Sequence, residues 1–221
     1  MSKITKIILL SVLMLTSMVW AINRDMFQGL VLIIFSLLAF TTLERRAIDR
    51  NFYLALRKLY LCTDIEGFNE VLQRIEAHAM ISRSIVNIIQ LLECMGRYHL
   101  GDRIGLLGEI QRVKVPKRFL FWRYVYMNLL DKNHIQMARL NTTFKSVPAV
   151  LLEIASQRLK LMQLFSEEPT EVNDVITVRD HLTYNLLIAE ATYYLSMIET
   201  HPNIKSYYLK SANNLIKEFV I

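Results

Sequence analysis

Two apolar runs near the start of the chain, Ile7–Ile22 and Met26–Leu43, constrain the fold most strongly. Only Asn23-Arg24-Asp25 separates them, and neither run contains a charged residue. At a helical rise of about 1.5 Å per residue they extend roughly 24 and 27 Å, close to the roughly 30 Å hydrocarbon core of a bilayer. The residual mismatch costs little. Backbone polar groups surrounded by lipid must pair within the protein, so both runs are expected to be helical. The expectation is a tight two-helix transmembrane hairpin over residues 1–43, with a domain over residues 44–221 hanging from it.

Charge at the ends of the runs sets the expected sidedness. Lys3 and Lys6 precede the first run, Arg24 and Asp25 cancel in the short loop, and Arg45, Arg46 and Arg50 follow the second. The positive-inside rule then places the N-terminus and the domain in the cytoplasm and the loop outside. A competing reading takes residues 1–21 as a secretory signal, with Val19-Trp20-Ala21 as its cleavage site. The second run would then act as a stop-transfer helix, and the domain would still face the cytoplasm.

The domain is expected to be all-α. Six glycines and four prolines in 221 residues leave little room for the many turns of a β domain. The net charge of +6 comes from basic residues spread along the chain with no nucleic-acid motif, so the bilayer is the expected anionic partner and nucleic acid is not. Cys62 and Cys94 lie in apolar, helix-patterned surroundings and read as two buried thiols.

Helical stripes recur through the domain. Ile48, Phe52, Ala55, Leu56 and Leu59 form one, Thr63-Asp64 offers a cap, and Phe68, Val71, Leu72 and Ile75 form the next. Gly101-Asp102 interrupts a third, built on Ile85, Ile88, Ile89, Leu92 and Met95. Phe119, Trp122, Tyr126 and Leu129 line a further helix, and Leu182–Ile198 is apolar on almost every side, as an enclosed helix would be. Ser166–Asn173 is the best loop.

Asp64 and Gly67 recur as Asp102 and Gly105, and Pro116 and Pro148 each follow a shorter helix. Spacings in the thirties are typical of helix-pair solenoids. Tyr53-Leu54-Ala55-Leu56 with Gly67-Phe68, and Tyr194-Leu195 with Tyr208-Leu209 and Ala212, resemble the tetratricopeptide-repeat family in a bacterial-type, membrane-anchored form. Ala138 and Ala212 fit its small-residue positions, Leu107 does not, and its Trp–Leu-Gly–Tyr run is absent. The resemblance implies a scaffold whose groove or face binds protein or peptide. A non-repeating helical bundle is the alternative.

Motifs for chemistry are missing. His78, His99, His134, His181 and His201 are scattered, and there is no HExxH, CxxC or G-x-S-x-G. Gly101–Gly108 lacks the Lys-Ser/Thr ending of a phosphate loop. The expectation is therefore no enzyme, no cofactor and no metal. One segment stands out: Arg112, Lys114, Lys117, Arg118 and Arg123 fall close together with no acid between them, interleaved with Phe119, Phe121 and Trp122. These five cations are candidate contacts for lipid or an acidic partner, or else a solvated rim around core aromatics.

The functional expectation is a membrane-anchored scaffold or adaptor whose cytoplasmic helical domain holds a protein partner at the bilayer. The alternative is an accessory subunit that contacts a larger membrane complex, such as a transporter, through the hairpin.

Overall fold

A computed structural model describes residues 3–23, 26–78, 83–131, 137–166 and 171–216. The described residues are helical apart from their turns and contain no strand, as the scarcity of Gly and Pro requires. Helix α1 (Lys3–Asn23) packs along α2 (Met26–Arg57). Small side chains line the seam: Ser17 and Gly29 are buried, and Ser17 and Ser36 border a narrow gap between the helices. Such residues let two helices approach closely without a water-driven core. The Ser17 hydroxyl bonds back to the Leu13 carbonyl at 2.6 Å, so it leaves no orphaned polar group. The opposite faces carry exposed Ile8, Val12, Leu15, Phe27, Phe35 and Leu38.

Among the described residues, one helix is long and apolar enough to cross a membrane by length and composition. It is the continuous stretch Phe27–Cys62, and only 6% of its most apolar window is buried. The apolar part of α1 that meets the same test of composition, Ser11–Trp20, is shorter. Helix α2 does not stop at the polar boundary near Glu44. It continues to Arg57 and into a π-helical turn, Lys58–Cys62. The apolar stretch and the domain therefore share one helix, with no linker between them.

The end of α2 is also the centre of the domain. Phe52, Ala55, Leu56, Leu59 and Tyr60 are completely buried. Around them follow α3 (Ile65–His78), α4 (Arg83–His99), α5 (Leu106–Arg112), α6 (Leu120–Leu130), α7 (Met137–Phe144), α8 (Leu152–Ser166), α9 (Val172–Asp180), α10 (Asn185–Ile198) and α11 (Pro202–Ile216). Successive helices touch, as short connections require. The π turn also packs on α10, Asn185 donates to the Leu61 carbonyl at 2.8 Å, and Thr63 to that of Leu215 at 3.3 Å. In a stacked repeat array each unit touches only its neighbours. Here the chain closes back onto α2.

Local signals explain the helix ends. Asp64 caps α3: its Oδ1 accepts from the Gly67 N–H at 2.8 Å, and its Oδ2 pairs with Lys58 at 2.8 Å. A side chain at Gly67 would meet that carboxylate at 2.3 Å. Gly101, with φ +83°, ends α4 in a Schellman arrangement. The bonds are Gly101 N–H to the Tyr98 carbonyl and Asp102 N–H to that of Arg97. Pro202 is the first residue of α11, where its missing N–H costs nothing. Val172–Val178, although β-branched, lies in α9.

Several expectations fall on residues outside the described ones: Arg24 and Asp25 of the short loop, His134, and positions 167–170 of the Ser166–Asn173 loop. Cys62 corrects the reading of two buried thiols. It is exposed at the end of the π turn, while Cys94 is buried.

Candidate functional site

A cleft of about 510 Å³ lies between α3, α4 and α5. Its floor consists of Phe68, Leu72, Cys94, Gly96 and Val113, all buried. Its rim is polar and charged: Asn69, Gln90, Glu93, Arg97, Glu109 and Arg112. Gly96 makes the floor possible, because a Cβ there would sit 2.9 Å from Cε1 of Phe68. Arg97 is held in place by Asp102 and Glu109, each at 2.7 Å. The hydrogen bond to Asp102 is the main cause that raises its pKa. Burial, with Glu76 nearby, raises the Glu93 carboxyl. Burial also pushes the Cys94 thiol up to about 11, so it remains a packing group rather than a thiolate. An apolar floor with a few oriented polar groups on its rim is the usual form of a site for a peptide or small molecule.

Beside the cleft, the domain centre holds a polar cluster drawn from five elements. The Tyr60 and Tyr126 hydroxyls lie 2.9 Å apart, and the Tyr126 hydroxyl lies 2.7 Å from Nε2 of His99. Arg158 of α8 is fully buried and ion-paired with Glu190 of α10. The Arg158 guanidinium also lies 6.0 Å from the Tyr60 ring centre. Tyr98 packs edge-on against His99 and Tyr126, and Arg103 stacks over it at 4.6 Å. Burial lowers the His99 pKa well below the ordinary value, and the charges on Arg158 and Arg103 lower it further. Burial likewise pushes Tyr60 up to about 12 and raises Tyr126 well above its usual range. Burial is the largest single influence on Arg158 and works against its charge, but Glu190 together with Tyr60 and Tyr126 outweighs it, and the Arg158 pKa is raised. With Nε2 of a neutral His99 as acceptor, Tyr126 donates to it and is free to accept from Tyr60.

The five predicted cations do not act together. Arg112, Lys114 and Lys117 are exposed. Arg118 is largely covered and forms an ion pair with Asp49 of α2 at 2.7 Å. Arg123 donates to the Ile110 and Gln111 carbonyls at 3.0 and 2.6 Å, tying α6 to the end of α5. Phe119 and Trp122 are completely buried, as the helical phase predicts, and Phe121, outside that stripe, is buried as well.

Sequence reasoning missed Arg158, Glu190 and the tyrosine–histidine chain. A signal was present: Arg158 interrupts the apolar stripe Ile154, Ala155, Leu161 and Met162, and Glu190 is the single charge in Leu182–Ile198. Among the described residues, no group of three or more His, Cys, Asp or Glu side chains could hold a metal.

No family model and no solved structure matches the chain. Over 112 residues it is 28% identical to a glutathione S-transferase Mu 2 from Pongo abelii, a stretch covering 49% of each protein. The chain thus spans about half the length of the curated relative it matches. This similarity to an enzyme overturns the expectation that the chain is not one. Absent motifs exclude only the chemistries those motifs describe.

Proposed function

We propose that the chain is a membrane-anchored adaptor. In this reading α1 and α2 form a two-span hairpin, the N-terminus and the domain lie in the cytoplasm, and the cleft between α3, α4 and α5 receives a segment of a protein partner. The observation that carries it is the unbroken course of α2 from an apolar, exposed stretch into the domain core. A cleft built on that core is held at a set height above the bilayer. The mixed rim of Glu93, Arg97, Glu109 and Arg112 suits a segment carrying both charge signs. The full chain carrying a photo-crosslinking residue at Gln90 tests this in native membranes. A discrete protein adduct from position 90, absent when the probe is moved to Lys210, supports the reading. Equal adducts from both positions would refute it.

The similarity to a glutathione S-transferase supports a second reading, in which the same cleft takes glutathione. Arg112, exposed on the rim, would meet a carboxylate of that peptide. Calorimetric titration of the detergent-solubilised chain with glutathione distinguishes the two. Saturable binding that weakens in Arg112→Ala favours the second reading, and no heat at millimolar ligand removes it.

A further inference from the structure

Arg118 sits beside the second turn of α2 beyond the apolar stretch. It is paired with Asp49, and Arg45, one helical turn earlier, is close enough to influence both charges. Phe119 packs against Phe52 with ring centres 4.6 Å apart and the rings tilted by 38°, so the turn around residue 118 is clamped to α2 at two points. Counting from Leu43 at about 1.5 Å per residue, Arg45 and Asp49 stand roughly 3 and 9 Å beyond the apolar run. The headgroup layer of one leaflet is about 5–8 Å deep. The clamp therefore holds the Arg118–Phe119 turn, with Lys117 beside it, a few ångströms beyond the headgroup layer. Lys117 is the exposed neighbour of Arg118, and Lys114 lies within about 10 Å of chain from it. Exposed Arg45, Arg46 and Arg50 on α2 add to the same side.

We infer that Arg112, Lys114 and Lys117 rest on the anionic lipid headgroups of the leaflet from which α2 emerges, so that the domain lies against the bilayer rather than swinging from it. This rests on the reading that α2 spans the membrane. The occupant is chosen by height and charge. The turn is clamped within about one Debye length, roughly 8 Å, of phosphate-bearing headgroups. Each cation at such a surface contributes attraction, and Asp49, the acid that faces this turn from α2, is already taken by Arg118. Arg112 also borders the cleft, whose α5 end would then open toward the membrane.

Lysine footprinting on the full chain in nanodiscs tests the inference. The acetylation rates of Lys114 and Lys117 are measured by mass spectrometry against exposed Lys210, in neutral phosphatidylcholine discs and in discs with one third phosphatidylglycerol. At least about threefold slower modification of both lysines is expected in the anionic discs, and it should be lost in 0.5 M salt. Equal rates in the two lipids would overturn the inference. So would protection that persists in neutral discs and high salt, which would mean protein covers the lysines. Protection seen only in native membranes would assign the patch to an acidic protein and overturn it as well. Alkaline extraction of the same chain from cell membranes separates this from failure of the anchor: a chain released by carbonate would refute the spanning reading itself.

Discussion

The hydroxyls of Tyr60 and Tyr126, 66 residues apart in sequence, lie 2.9 Å from each other in the centre of the domain. The contact joins the π turn at the end of α2 to α6 and continues to His99 of α4. It makes folding sensitive to acid. Burial, Arg158 and Arg103 all hold the His99 pKa well below 6.5. As pH falls through 6.5, the unfolded chain takes up a proton that the folded chain refuses. The contribution is thus present above about pH 6.5 and lost below it, at up to about 1.4 kcal/mol per pH unit. The melting temperature should fall between pH 7.5 and 5.5, and His99→Gln should show a smaller fall. An equal fall in both proteins would mean that His99 is not the acid-sensitive group.

The Arg158–Glu190 pair should be costly to break. Glu190→Ala leaves a fully buried guanidinium without its counter-charge, and a loss of about 3–5 kcal/mol is expected. Replacing both residues together, Arg158→Met with Glu190→Leu, should recover most of that loss. Thermal unfolding of the three variants reads the cycle. A double variant as weak as the single one would show that the pair's hydrogen bonding, not the unpaired charge, matters.

Gly96 should set the depth of the cleft. Alanine there would place its Cβ 2.9 Å from a Phe68 ring carbon that is itself buried. The ring must shift, at a cost of about 1–3 kcal/mol. Binding of any cleft ligand should weaken along with stability. Unchanged stability in Gly96→Ala would mean that Phe68 has room to turn aside.

Exposure of Cys62 gives a direct test of sidedness. In intact cells an impermeant thiol reagent should leave Cys62 unlabelled. A cysteine placed at Arg24, between the two apolar runs of the sequence, should be labelled in a Cys62→Ser background. Labelling of Cys62 in sealed cells would put the domain on the outer side.

Trp122 and Lys117 should respond in opposite ways to truncation. Trp122 is completely buried against Phe52, Tyr60 and Phe121, so Trp122→Ala should cost about 3–5 kcal/mol at any salt concentration. Lys117 is exposed, and Lys117→Ala should stay within about 0.5 kcal/mol of the parent. Chemical denaturation at low and high salt measures both. A salt-dependent Trp122→Ala penalty would point to disruption of the neighbouring Arg118–Asp49 pair instead.

What the sequence by itself determined is local. The period of apolar residues set the helices and their inward faces, so Phe119 and Trp122 lie in the core as their spacing requires. Asp64 and Gly101 marked helix ends because capping depends on a few adjacent residues. Length and apolarity marked two candidate spans, and among the described residues one helix, Phe27–Cys62, is long and apolar enough to cross a bilayer. The tertiary structure decided everything that needed two distant helices to meet. It paired Arg158 with Glu190, captured Arg118 with Asp49, and turned Arg123 onto backbone carbonyls, leaving three of five cations exposed. It exposed Cys62 and closed the late helices onto the end of α2, where repeat spacing implied a stack of neighbours. Periodicity reports which face of a helix is buried, because that follows from the 3.6-residue turn. It does not report what the face is buried against, because that follows from how all the helices pack at once.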